Sequence, residues 1–422
     1  MTRARHFVTP AFILSALIWL APGMAQRIEV EPNDSKAEAT LIPNLQSGET
    51  FTGFQLSGTP DGSRDYFRVQ TAPAPLGIYR HRLRTVTPGP GGANLGHHFP
   101  SIRGQRFENG VVTGVEDFAQ SGVREGDRFN DYYAFGKAES LYFRIDHQAL
   151  PGADIGEYRV TLTTFPVTPV NIGLFIPGTI TIDTRERARN VSGGQHNTDL
   201  WIYDSQFNAI PDYGNDTSTD GAPFNSGAKL TRTYQPGSYF MALGAYDLIN
   251  DQVNPPDDPS RLVGTVLDFP NAVLSSYEAN GSQAGSDLDF GVTDRAGTRE
   301  FSAVKPDSVY GVYWARFQVA SFGDANLNGA VNLDDFNILA ANFGQSGANW
   351  QQGDFNGDGR VSLDDFNLLA ANFGATAGPN GPTAQDWGAL GAAVPEPAGL
   401  LTLLTVAALS ARRRAATGKC RR

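Results

Sequence analysis

Cysteine is almost absent. Of 422 residues only Cys420 is one, and it lies in a basic C-terminal tail. One cysteine cannot pair within the chain, so a disulfide framework is excluded and stability has to come from packed cores and bound metal. Neither an HExxH nor a GxSxG pattern occurs, which removes two common hydrolase signatures. Basic residues are short as well, with Lys and Arg at 33 against 44 Asp and Glu, for a net charge of −11. Arg3 and Arg5 sit at one end, and Arg412, Arg413, Arg414, Lys419, Arg421 and Arg422 at the other, so the body between is more acidic still. Phosphate binding needs clustered Lys and Arg, so nucleic acid is not an expected partner, whereas divalent cations are. Methionine is scarce at 3, while glycine reaches 47 and proline 26. That balance predicts turn-rich β structure rather than helical bundles.

The length allows two or three domains. Residues 1–25 carry a basic start, an apolar run from Phe7 to Ala21, and small residues at Gly23 and Ala25. The run is too short to span a membrane and reads as a cleaved signal peptide. From residue 27 to 165, alternating runs such as 65–69, 141–145 and 158–162 predict strands separated by Gly, Pro, Asn and Asp clusters. From 166 to 320 the pattern repeats at 178–182, 199–203 and 238–243. Short strands with frequent turns predict a mainly β chain with two antiparallel β-sandwich domains.

Glu31-Pro32-Asn33-Asp34, Asp65-Tyr66-Phe67 and Tyr158-Arg159-Val160-Thr161-Leu162 give the first unit its resemblance to the bacterial pre-peptidase C-terminal domain. That resemblance implies a non-catalytic β-sandwich appended to an exported protein. The second unit is more distantly similar, through Thr198 to Asp204 and Tyr234 to Tyr239. The stretch around 85–130 is long for the family.

Residues 323–374 hold a 30-residue repeat: Gly323-Asp324 returns as Gly353-Asp354, and Leu333-Asp334-Asp335-Phe336-Asn337 as Leu363-Asp364-Asp365-Phe366-Asn367. Each repeat opens with oxygen side chains at the spacing of a twelve-residue calcium loop. The first set is Asp324, Asn326, Asn328, Asn332 and Asp335, with the Ala330 carbonyl. The second is Asp354, Asn356, Asp358, Ser362 and Asp365, with the Arg360 carbonyl. Gly329 and Gly359 fall where the loop needs positive φ. Many hard oxygen donors suit calcium, so two Ca2+ ions are expected, the second held by three acidic side chains against two. A helix follows each loop, with Leu333, Phe336, Leu339, Ala340 and Phe343 on one face, and Leu363, Phe366, Leu369, Ala370 and Phe373 on its counterpart. No helix is expected before either loop.

Two loop–helix units with Asp at position 12 resemble a type I dockerin (residues 322–375). The resemblance implies that calcium folds the pair and that the helix faces bind a cohesin-like domain of another protein. Leu333-Asp334 and Leu363-Asp364 depart from the small hydroxyl residues common in that family. After a linker at 376–393, Val394-Pro395-Glu396-Pro397, an apolar stretch and three arginines resemble the PEP-CTERM sorting tail (394–422). That resemblance implies processing by a membrane exosortase and transient inner-membrane retention.

Chemistry is sparse elsewhere. His97-His98 reads as a surface loop. Tyr66, Trp201, Tyr239 and Trp314 are candidate sugar platforms or, on strand patterns, core. No catalytic residue is assigned. The expectation is an exported, non-catalytic surface or extracellular protein. The alternative is a polysaccharide-degrading glycoside hydrolase, or its accessory subunit, docked through the dockerin-like module, with extracellular polysaccharide as its partner.

Overall fold

The computed structural model describes residues 27–376, apart from 56–63, 90–95, 126, 148–155, 186, 189–196, 216–226, 277–285 and 307. The segments expected as a signal peptide at 1–25 and a sorting tail at 394–422, and all but Thr376 of the expected linker at 376–393, lie outside the described residues. The chain is mainly β. Strands cover every alternating run read from the sequence, among them Asp65–Thr71, Ser140–His147, Glu157–Val167, Gly178–Asp183, Asp199–Tyr203 and Gly237–Gly244.

Among the described residues the strands form four sheets, of eight, six, five and four strands. A first core of Phe51, Phe67, Leu83, Phe143, Tyr158 and Leu162, among others, draws on the eight- and six-stranded sheets. A second, with Ile180, Ile182, Leu200, Leu230, Met241 and Phe317, draws on the other two. Period-two alternation sends these apolar side chains to one side of each sheet.

Pairing is antiparallel except at three sheet edges. There Arg27–Ile28 runs parallel to Thr50–Phe54, Thr40–Leu45 to Asp65–Thr71, and Val170–Phe175 to Tyr313–Val319. The first two follow from the path of the chain. Its opening strands alternate between the two sheets, so consecutive members of one sheet run the same way instead of turning back through a hairpin. The stretch around 85–130 forms the long pair His98–Glu108 and Val111–Ser121.

The sheets also reach across residue 165. Val263–Val266 pairs with His98–Glu108, and Ala272–Ser275 pairs with Asp127–Ala134. A third, aromatic core of Tyr133, Phe135, Trp201, Tyr203, Phe207 and Trp314 lies between residues from both halves. Trp314 stands 5.5–5.9 Å from the rings of Tyr133, Phe135 and Tyr203. Such rings bury large apolar area, which ties the halves together.

Beyond the last strand come two helices, α1 (Leu333–Asn342) and α2 (Leu363–Asn372). Their core, with Val331, Leu339, Trp350, Phe355, Val361, Phe366 and Leu369, also takes in Ile176 and Ala320 from the β framework.

Candidate functional site

Each helix is preceded by a loop whose backbone is folded by its own carboxylates. Asp324 accepts from Asn328 N at 3.1 Å and Gly329 N at 2.9 Å. Asp335 reaches back to accept from Ala325 N at 2.9 Å, Asn326 N at 3.2 Å and Asn332 N at 2.9 Å. The second loop repeats this. Asp354 accepts from Gly357 N at 2.7 Å and Gly359 N at 3.1 Å, while Asp365 accepts from Phe355, Asn356 and Ser362 N at 2.8, 3.0 and 2.9 Å. Asn326, Asn328, Asn356 and Asp358 stay exposed, and each takes a backbone N–H two residues on. Gly329 and Gly359 have φ of 87° and 82°, the left-handed turn that glycine makes cheaply.

Sequence reading missed that four of these residues have a second task. Asn332 and Ser362 are the N-caps of α1 and α2, each accepting from the N–H two residues later, and Asp335 and Asp365 close the capping boxes. The signal was present as Asn-x-x-Asp and Ser-x-x-Asp before an apolar run. No helix precedes the loops, as expected: Tyr313–Val319 is a strand, and Trp350–Gln352 is a single 3-10 turn.

The repeats complete one another. Val331 donates to Ala375 O and accepts from Gly374 N, at 2.9 and 2.7 Å. Val361 accepts from Gly344 N at 2.8 Å and donates to Gln345 O at 3.1 Å. A Cβ on Gly323 would lie 2.8 Å from Leu369 Cα, and one on Gly353 3.0 Å from Leu339 Cα. Each loop thus opens against the other repeat's helix, at a φ near 100° in both cases. Only part of the expected helix face turns inward. Leu339, Leu369 and Phe366 are buried, Leu333 and Phe336 are half-buried, and Ala340, Phe343, Leu363 and Ala370 are exposed.

Asp324, Asp335, Asp354 and Asp365 are all buried. Among the described residues none of them has an ion-pair partner. Burial, reinforced by the Asp335 carboxylate, pushes Asp324 up to about 6 against the pull of its N–H partners. Burial also raises Asp335, although Asn332, Asn326 and Ala325 donate to it. Buried carboxylates held together without a counter-charge favour a proton or a cation. The donor set around them is oxygen throughout, with hard ligands at calcium spacing, so the residues fit that ion.

A second acidic group was not found from the sequence. Glu29, Glu31 and Asp65 place carboxylate oxygens within 4.8 Å of one another. Glu29 and Glu31 follow the strand Arg27–Ile28, and Tyr66 N donates to Asn33 O at 2.8 Å, which holds that segment against the start of Asp65–Thr71. Tyr158 Oη lies 2.5 Å from Asp65 Oδ2 and 3.0 Å from Glu29 Oε2. A phenol has one proton, so it serves both only if one carboxyl keeps its own. Burial, with Glu29 nearby, pushes Asp65 up to about 8. Gly53 makes room, since a Cβ there would meet Tyr158 Oη at 2.0 Å and Glu29 Oε2 at 2.3 Å. A single cation or a retained proton would each relieve this cluster.

The remaining candidates are placed plainly. Tyr66, Trp201 and Trp314 are buried and Tyr239 is half-buried, so the first three are core and not platforms. His98 is buried, with Nδ1 2.7 Å from Thr87 Oγ1, and burial lowers it to about 4. His97 beside it is half-buried. Comparison with protein-family models, with curated proteins and with solved structures gives no match.

Proposed function

We propose that this is an exported, non-catalytic surface or extracellular protein. In this reading two β-sandwich units carry a dockerin-like pair of loop–helix repeats that bind two calcium ions and present their helix faces to a cohesin-type domain. One observation carries the calcium part: four buried aspartates, two per loop, lie inside loops of oxygen side chains, and among the described residues their carboxylates have no ion-pair partner. Asp324, Asn326, Asn328, the Ala330 carbonyl, Asn332 and Asp335 would hold one ion. Asp354, Asn356, Asp358, the Arg360 carbonyl, Ser362 and Asp365 would hold the other. The ion supplies positive charge that fixes the loops and hence the helices that follow them.

The exposed Leu363, Asp334, Asp364 and Phe343 support a protein-docking face, since they are apolar and acidic groups left on the helices after the core is filled. Export and sorting rest on the two ends of the sequence. The hydrolase alternative would need an accessible pair of carboxyls. The Glu29–Asp65 cluster brings carboxyls together, but Asp65 is fully buried there.

Calorimetric titration of the full chain with calcium chloride tests the metal, with uptake of two ions expected; no uptake rejects it. A pull-down from producing cells, with and without calcium, tests the partner. Intact-mass analysis of the exported protein tests the sorting tail, and retention of Arg412 to Arg422 rejects it.

A further inference from the structure

We propose that Trp350 and Arg295 are positioning residues that join the two cation loops to each other and to the β framework, so that neither loop takes up its ion independently. This rests on the calcium reading above. Trp350 belongs to the second repeat, four residues before Asp354, yet its indole Nε1 donates at 2.7 Å to the carbonyl of Asp324, which opens the first loop. The ring is 1% exposed and is held between Phe355, edge-on at 5.0 Å, and Phe322 at 6.0 Å. The residue at the equivalent place in the first repeat is Ala320, whose N–H donates instead to Phe175 O at 2.8 Å on the β framework. One repeat is therefore stitched to a strand and the other plugged into its sister loop.

Arg295 completes the chain of contacts. It sits at the turn between the strands Phe290–Asp294 and Gly297–Phe301. Its guanidinium carbon lies 5.7 Å from the Trp350 ring centroid, and Nη1 donates at 3.3 Å to the carbonyl of Asp354, the first residue of the second loop. Gly357 inside that loop leaves space for it, because a Cβ there would come within 2.7 Å of the guanidinium. The neighbouring Asp294 accepts from Ile176 N at 2.9 Å, and Ile176 is part of the helical unit's core. Both first-position carbonyls are thus fixed from outside their own loops, and a fixed backbone aims the Asp324 and Asp354 side chains. Pre-organisation of this kind lowers the ordering cost of binding.

The test is calcium titration of the full chain by calorimetry, joined to thermal unfolding followed at a β signal. Trp350→Phe keeps a ring between Phe322 and Phe355 but removes the donor. In a chain whose second loop is disabled by Asp354→Asn, adding Trp350→Phe is expected to weaken the remaining first-loop uptake about three- to tenfold, the worth of an ordinary hydrogen bond. Arg295→Gln, at an exposed position, is expected to leave folding intact while reducing the protection that calcium gives to the β strands. If the parent chain takes up calcium and Trp350→Phe titrates like it, the coupling is refuted and the calcium reading survives. Equal calcium protection of the strands in Arg295→Gln also refutes it, and decides the matter should Trp350→Phe fail to fold. A parent chain that takes up no calcium refutes both.

Discussion

The chain gathers carboxylates in two places and handles them differently. In the loops before α1 and α2, every buried aspartate is surrounded by backbone N–H groups of its own twelve residues. In the cluster of Glu29, Glu31 and Asp65, the side chains come from segments distant along the chain, and one phenol stands between two of them. Local donors can hold a carboxylate in place while leaving lone pairs for an ion. A phenol shared between two carboxyls is satisfied most simply by keeping a proton. The difference lies in what else the oxygens bond, which sets whether each place would sooner take a cation or keep a proton.

The largest effect that sharpens this contrast is expected from Asp335→Ala. It removes the acceptor of three backbone N–H groups and half of a capping box, besides a proposed calcium ligand. A loss on the order of 3 kcal/mol is expected even in calcium-free buffer, because the N–H groups are orphaned. Chemical denaturation followed at the helix signal measures it. A loss seen only when calcium is present would mean that capping counts for little. Next comes Tyr158→Phe, expected to cost about 2 kcal/mol at neutral pH, since the hydroxyl serves Asp65 and Glu29 in a fully buried place. An unchanged denaturation midpoint would show that the cluster is satisfied without it.

The two places also differ in how far sequence could reveal them. The loops were legible because all their donors lie within twelve residues, and spacing along a chain survives folding there. The strands at 65–71, 140–147 and 157–167 were legible from alternation for the same local reason. The Glu29–Asp65 cluster was not, because Asp65 is brought beside the segment of Glu29 and Glu31 by the fold and not by spacing. Nor were the parallel edges, or the use of residues 263–275 by the sheets of the first half. Asn332 and Asp335 were seen as ligands and not as a cap, although the cap pattern stood in the same residues.

Without calcium, pH acts on the two places with the same sign. Asp65, raised to about 8, and Asp324, raised to about 6, both have folded values above the unfolded 3.8. The unfolded chain therefore gives up its protons first. Stability from these groups is complete below about pH 4 and is lost as pH climbs through their folded values. In calcium-free buffer these two groups lower the thermal midpoint as pH rises from about 4 towards 8. Buried His81 and His98, lowered to about 4, raise it between about pH 4 and pH 6.5 and leave the fall to show above that. Calcium should reverse the loop contribution, because its ligands must be deprotonated, and leave the Asp65 contribution in place. Asp65→Asn should flatten the part of the curve between about pH 6 and pH 8. A slope there that survives this substitution would assign it elsewhere.

The smallest effect on stability is expected at the helix surface, where the two repeats stop being equivalent. Leu363 is 48% exposed while Leu333 is half-buried, and Phe343 is 47% exposed while Phe373 is half-buried. Leu363→Arg should change stability by less than about 0.5 kcal/mol, as surface substitutions usually do, with Leu333→Arg costing somewhat more. Neither leucine is a ligand, so calcium uptake by calorimetry should match the parent. Partner binding is the sensitive readout. If both faces serve the same partner, either single substitution leaves binding nearly intact, since the partner turns to the other helix. The double substitution should abolish it, because an unpaired arginine at an interface core is costly to desolvate. The unequal exposure of Leu333 and Leu363 favours the second face, so Leu363→Arg should weaken binding more than Leu333→Arg. Surface plasmon resonance against a partner recovered in calcium measures this order. Equal loss from the two single variants would show that exposure does not decide the face, and a single variant as inactive as the double would show that only one face is used.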